Sequence, residues 1–187
     1  MEEEQETERP LILSIDPGLS GGICLYSLDK LAPVDILDMP TLRNNKGKKE
    51  IDAVTFAFYV QTHCNDISLA VIEKVHAMPK QGVTSMFTFG KVLGLTAGIL
   101  SASFIPITWI YPQVWKASLN LSRNKDDSRS LAGKLYPEHK FYFARKRDDG
   151  RAEALLMAHF VCHTLVKEEE KRSEALLLSK KRNILSS

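Results

Sequence analysis

Residues 11–16 form a short apolar run that ends at Asp16, just ahead of Pro17-Gly18, a pattern that predicts a buried strand leading into a turn. Residues 22–27 and 34–39 read as two further strands at hairpin-like spacing. The segment TLRNNKGKK at 41–49 is polar, basic and glycine-containing, and predicts a loop. Asp52 is placed to cap a helix over 53–64, and 68–73 reads as a β-branched strand. Apolar residues at helical spacing follow over 83–103, then a strand over 105–110, then helical stretches over about 112–120, 126–136 and 150–170. The order βββ-α-β-α-β followed by helices predicts an α/β domain, a mixed sheet with parallel crossovers flanked by helices. There is no internal repeat and no Pro/Ser linker, so the organisation expected is an acidic leader over 1–9, one domain over 10–166 and a charged helical or frayed tail over 167–187.

Length and composition agree with this outline: 187 residues, 44% of them apolar, suffice for a single core and leave little for a second. The net charge of +2 understates the basic character of the body. Residues 1–8 carry five acidic side chains and no basic one, so the remainder holds 25 basic against 18 acidic residues. Cys24, Cys64 and Cys162 are odd in number and far apart, which argues against a zinc ribbon or a disulfide framework. With no secretory pattern at the N-terminus, a reducing compartment is expected, cytoplasmic or nucleoid-associated, with viral or organellar origin left open. The most apolar stretch, 92–107, is shorter than a membrane span and contains Thr96, Ser101 and Ser103, so no membrane partner is expected.

Carboxylates stand at three structurally defined positions. Asp16 ends the first strand, before a glycine-rich turn that allows a partner close to it. Glu73 ends the strand LAVIE, and Ile12, Ile15, Val71 and Ile72 would fix both acids on rigid, buried elements. Asp148-Asp149-Gly150-Arg151-Ala152-Glu153 opens a helix, with Asp149 and Glu153 one turn apart on one face and Asp148 just outside it. Converging acids repel unless a counterion joins them, and hard cations such as Mg²⁺ or Mn²⁺ prefer oxygen ligands. Two such ions about 3.5–4 Å apart can activate water and stabilise the leaving oxygen of a phosphodiester.

Three of these motifs, Ile15-Asp16-Pro17-Gly18, Val71-Ile72-Glu73 and 148–155, resemble those of the RuvC-type Holliday junction resolvases. The resemblance is nearest to the branch of phage and bacterial RuvC-like proteins and the plant chloroplast resolvase. Lys125-Asp126-Asp127-Ser128-Arg129, Leu135-Tyr136-Pro137 and the stretch from Gln81-Gly82 to Phe89-Gly90 extend it, in order, across about residues 11–163. The resemblance implies an RNase H-like mixed five-stranded sheet flanked by helices, a homodimer, and symmetric Mg²⁺-dependent nicking of four-way DNA junctions. The products would carry 5′-phosphate and 3′-hydroxyl ends. Asp16, Glu73, Asp148 and Glu153 become the catalytic metal ligands, for two ions per site, with Mn²⁺ as a substitute. Bacterial RuvC places its last two ligands three residues apart, whereas position 150 here is glycine, so Asp148 and Asp149 compete for one role, with Asp148 favoured.

Candidate phosphate contacts are Lys74, Lys80, Lys91, Lys116, Arg123, Lys125, Arg129, Arg145, Lys146, Arg147 and Arg151. In the loop 75–89, His76, Met78, Pro79, Met86, Phe87 and Phe89 include possible wedges into an opened junction, although apolar side chains at helical spacing more often pack a core. Gly90, Gly94 and Gly98 mark a small-residue face where the sheet or a partner helix could approach, and a two-fold substrate calls for a two-fold protein. His159 and His163 lack a third ligand and read as ordinary helix residues, while Trp109, Tyr111 and Trp115 are expected to pack the last strand on its helix. Two other functions compete. An actin-like ATPase needs a second phosphate loop and a longer two-lobed chain. A non-cleaving junction-binding protein gains nothing from clustered negative charge. A flap or single-strand nuclease of the same fold is the nearest alternative.

Overall fold

The computed structural model describes residues 11–74, 82–122 and 124–185, with the side chains of Lys125 and of residues beyond 167 outside the description. Five strands form one mixed sheet: β1 (Leu11–Ile15), β2 (Gly22–Ser27), β3 (Ala32–Asp38), β6 (Ile67–Glu73) and β7 (Ile107–Ile110). Their order is β3-β2-β1-β6-β7. β1, β2 and β3 pair antiparallel, as tight turns between successive strands require. β1–β6 and β6–β7 pair parallel, because α1 (Ala53–His63) and α2 (Val83–Ala102) carry the chain back across one face. The expected α/β architecture with a five-stranded mixed sheet is the one observed.

Side-chain alternation along the strands divides the core between the two faces. Leu13, Ile15, Ile23, Leu25, Ala70 and Ile72 pack with Phe56 and Val60 of α1 and with Val92 and Leu100 of α2. Ile12, Cys24, Tyr26, Ile36 and Val71 face the other way, onto Trp115, Ala132, Tyr136, Phe143 and the apolar side of the last helix. That second layer is made of α3 (Pro112–Ser118), α4 (Lys125–Leu135), a 3-10 segment at Pro137–Phe143 and α5 (Asp149–Leu185). α5 packs across β1, β2 and β3 and against α4. Asp52 caps α1 as expected, its carboxylate accepting from Thr55 N at 3.0 Å.

The segment expected to be a loop is instead a short hairpin, β4 (Thr41–Arg43) with β5 (Lys49–Ile51). Turn chemistry rather than hydrophobic patterning closes it. The Asn44 side-chain oxygen accepts from Lys46 N at 2.9 Å and from Lys48 N at 3.0 Å, and Gly47 takes a φ of +71°. Only Ile51 of its strand residues is buried, so the apolar pattern carried no trace of it.

Candidate active site

β1 and β6 run side by side with Ile15 opposite Ile72, so the next residues, Asp16 and Glu73, leave the sheet at the same end. Glu73 follows the alternation away from α1 and α2 and is 6% exposed. Its Oε1 accepts a hydrogen bond at 3.1 Å from Nε1 of the fully buried Trp115. A buried indole N–H requires a partner, and here that requirement orients a carboxylate. Lys116, the next residue of α3, donates to Oε1 of Glu153 at 2.8 Å, and Ser128 Oγ approaches the same oxygen at 3.4 Å. Consecutive residues of one short helix therefore tie together the end of β6 and the first turns of α5.

The start of α5 is brought to Asp16 by backbone contact. Asp16 N donates to Gly22 O at 2.9 Å, closing the turn after β1, and Gly21 bridges to Gly150 in parallel. A Cβ on Gly150 would lie 2.5 Å from the carbonyl carbon of Gly21 and from Ser20 O, and a Cβ on Gly22 would lie 2.6 Å from Arg151 N. Only glycine admits two backbones at that separation. Asp149, 9% exposed, precedes this contact, and Glu153, 8% exposed, lies one turn beyond.

Asp148 is 1% exposed and closes a capping box with Arg145. Its Oδ2 accepts from Arg145 N at 2.8 Å, and its Oδ1 accepts from the guanidinium at 2.8 and 3.0 Å. Burial pulls the Asp148 carboxyl upward. The hydrogen bonds and charge of Arg145, with Arg151 adding to them, more than reverse this and leave it below the ordinary carboxylate value. Those bonds make Asp148 a link in the entry to α5.

The donor set at this sheet end is all oxygen, which suits a hard cation. Among the described residues, no group of three or more His, Cys, Asp or Glu side chains stands ready as placed to hold a metal ion. The backbone places Asp16 and Glu73 at one end of the sheet and brings the start of α5, with Asp149 and Glu153, up to the turn after Asp16.

The expected phosphate contacts divide into groups. Lys80 and Arg123 lie outside the described residues, as does the side chain of Lys125. Lys74 stands 4.9 Å over the Tyr111 ring, and Lys91 pairs with Glu50 at 3.6 Å. Arg129 bonds Asp126 and Phe143 O, and Arg151 forms a two-point pair with Asp38 at 2.6 and 2.7 Å. Arg145 and Lys116 are engaged as above, while Lys146 and Arg147 are exposed. His76, Met78 and Pro79 lie outside the described residues, Met86 and Phe87 are exposed, and Phe89 is half-buried. A Cβ at Gly90, Gly94 or Gly98 meets nothing within 4 Å, so this face of α2 points into open space rather than onto the sheet of its own subunit. Trp115 packs the core as expected, whereas Trp109 and Tyr111 are more than a third exposed. Sequence reasoning missed Trp115 and Ser128 as carboxylate partners.

No family model and no curated protein sequence matches the chain. The fold is shared with Thermus thermophilus RuvC, whose structure in complex with a Holliday junction substrate superposes with a TM-score of 0.53 at 11% identity. That alignment covers 84% of this chain and 96% of the other. A second Thermus thermophilus RuvC structure aligns over the same shares at 13% identity, with a TM-score of 0.47. The first match shows the RNase H-like, RuvC-type fold.

Proposed function

We propose that the protein is a metal-dependent endonuclease that resolves four-way DNA junctions. The observation that carries this reading is that the start of α5, with Asp149 and Glu153, is held beside the strand ends that carry Asp16 and Glu73, on a fold shared with a protein solved on a Holliday junction substrate. Carboxylates on separate rigid elements serve poorly as a phosphate-binding surface and well as a cation cage. Asp16, Glu73, Asp149 and Glu153 would hold Mg²⁺ or Mn²⁺, with Asp149 preferred over Asp148 because Arg145 already engages both oxygens of Asp148. Such ions supply a more acidic bound water and charge neutralisation at the leaving oxygen. Trp115 fixes the Glu73 carboxylate, and Lys116 offsets the negative charge of Glu153 beside the strand to be cut. Arg147 and Lys146, exposed just before α5, grip flanking phosphates.

A four-way junction offers two equivalent strands, so the enzyme acts as a homodimer, closed through the open glycine face of α2. A single subunit has room for Gly94→Leu, which is expected to convert dimer to monomer in light scattering.

The deciding experiment incubates the protein with mobile four-way junction, flap, duplex and single strand, in Mg²⁺ or EDTA. Paired symmetric nicks confined to the junction and to Mg²⁺ are expected. Cleavage of flap or single strand instead would move the substrate class. Tight junction binding without metal-dependent cutting would favour the non-cleaving alternative.

A further inference from the structure

The hairpin β4–β5 supplies none of the carboxylates, yet it is an exposed and strongly basic element. Arg43, Lys46, Lys48 and Lys49 fall within seven residues, and Glu50 beside them is engaged by Asn44 at 2.8 Å and by Lys91. The tip is held rather than loose. Asn44 caps two backbone N–H groups, Asn44 N donates to Lys48 O at 2.9 Å, and Arg43 Nη1 donates to Gly47 O at 2.7 Å. The base is tied to the body by Asp52 N to Pro40 O and Met39 N to Gly21 O, at 2.9 and 3.0 Å. Exposed, solvated cations on a fixed backbone make a preformed surface for a polyanion.

The hairpin also shares a cleft with the proposed site. A cavity of about 310 Å³ is lined by Lys49, Thr41 and Asp38 on one side and Arg147 on the other, with Ser20 and Gly21 of the turn after Asp16 among its lining. Lys49 Nζ donates to Leu19 O in that turn at 2.5 Å. The one acidic lining residue, Asp38, is neutralised by Arg151. A strand leaving the carboxylates past Gly21 would meet Arg147 and Lys49, then Lys46 and Lys48.

We infer that this hairpin, with Arg147, is a second phosphate-binding surface that holds a DNA arm flanking the cut. This assignment rests on the nuclease reading above and names where its substrate extends. The polymeric nature of the ligand follows from the spread of cations between an open tip and a cleft, which a small anion would not span.

The test measures binding of a fluorescent four-way junction and of a linear duplex by the full chain, across a salt series, alongside cleavage in Mg²⁺. Lys46→Ala/Lys48→Ala removes two exposed charges from the tip, and Lys30→Ala, at the opposite end of the sheet, is the control. Loss of two phosphate contacts should lower the slope of log K against log salt by about 1.8 and weaken binding roughly 30-fold at 0.15 M salt. Lys30→Ala should match the wild type, and Arg147→Ala should add to the loss. Unchanged affinity and slope in the double variant, in a protein that binds the junction, would overturn the hairpin assignment and leave the nuclease reading standing. Binding that falls as expected in a protein that never cuts would support the hairpin and sink the nuclease reading. No DNA binding by the wild type would remove both.

Discussion

Gly150 and Gly21 meet backbone against backbone, in a parallel bridge that joins the first turn of α5 to the turn after β1. The site depends on this contact, because it places the acidic start of a helix beside a strand-end aspartate more than 130 residues earlier in the chain. A Cβ at Gly150 would lie 2.5 Å from two backbone atoms, and neither can rotate away as a flexible side chain could. Gly150→Ala is therefore expected to cost about 2–3 kcal/mol, at the upper end of overpacking substitutions. Urea unfolding checks this, and a stability within error of the wild type would show that the two backbones are not so close.

The neighbouring acids Asp148 and Asp149 are expected to separate cleanly. Asp148→Asn keeps the shape but weakens charged hydrogen bonds to Arg145, so about 1–3 kcal/mol of stability should be lost. Asp149→Asn, in a protein that still folds, should abolish Mg²⁺-dependent cleavage. Measuring both quantities in both variants decides the assignment. Full activity in Asp149→Asn would return the ligand role to Asp148.

What could be read from the sequence was whatever local pattern determines. Asp16 and Glu73 were legible because each closes an apolar run with strand periodicity, and a strand end is a fixed position. The order of elements followed from the same alternation. The engagement of Asp148 by Arg145, on which the proposed preference for Asp149 turns, was not legible, since it is made by a 3-10 turn that folds Arg145 back over that acid. The β4–β5 hairpin escaped because Asn44 side-chain bonds and a single positive-φ glycine close it, with almost no apolar burial. Trp115 was readable as a packing residue, but its partner Glu73 lies 42 positions away, and no local signal joins them.

That long-range bond gives a prediction of its own. Trp115→Phe keeps an aromatic ring in the core and removes the donor that holds Glu73. Outer partners of this kind are typically worth 10- to 100-fold in metal affinity or rate. The variant should need more Mg²⁺ for half-maximal cleavage while binding the junction as the wild type does. An unchanged Mg²⁺ titration in a folded variant would reduce Trp115 to packing alone.

Buried Tyr26 and Tyr136 form a polar chain with the half-buried His159, with 2.7 Å between the hydroxyls and 2.7 Å from Tyr136 to His159 Nδ1. Burial, with His163 adding to it, lowers the His159 pKa to about 4, and burial pushes that of Tyr136 up to about 12. One proton arrangement satisfies all three groups: a neutral His159 accepting at Nδ1 from Tyr136, and Tyr136 accepting from Tyr26. The unfolded chain takes up the histidine proton near pH 6.5 and the folded protein only near 4, so between these values the unfolded state binds more protons. Stability should be complete above about pH 6.5 and fall by on the order of 2 kcal/mol as the pH drops to 4. Carboxylates held low, such as Asp148, begin to lose their contribution from about pH 5 downward, so the histidine acts alone only in the upper part of this window. His159→Gln removes the titrating group, so its urea midpoint should decline less than that of the wild type between pH 6.5 and 4, with the difference already present above about pH 5. Equal slopes in the two proteins would mean that His159 takes up its proton in the folded state as readily as in water.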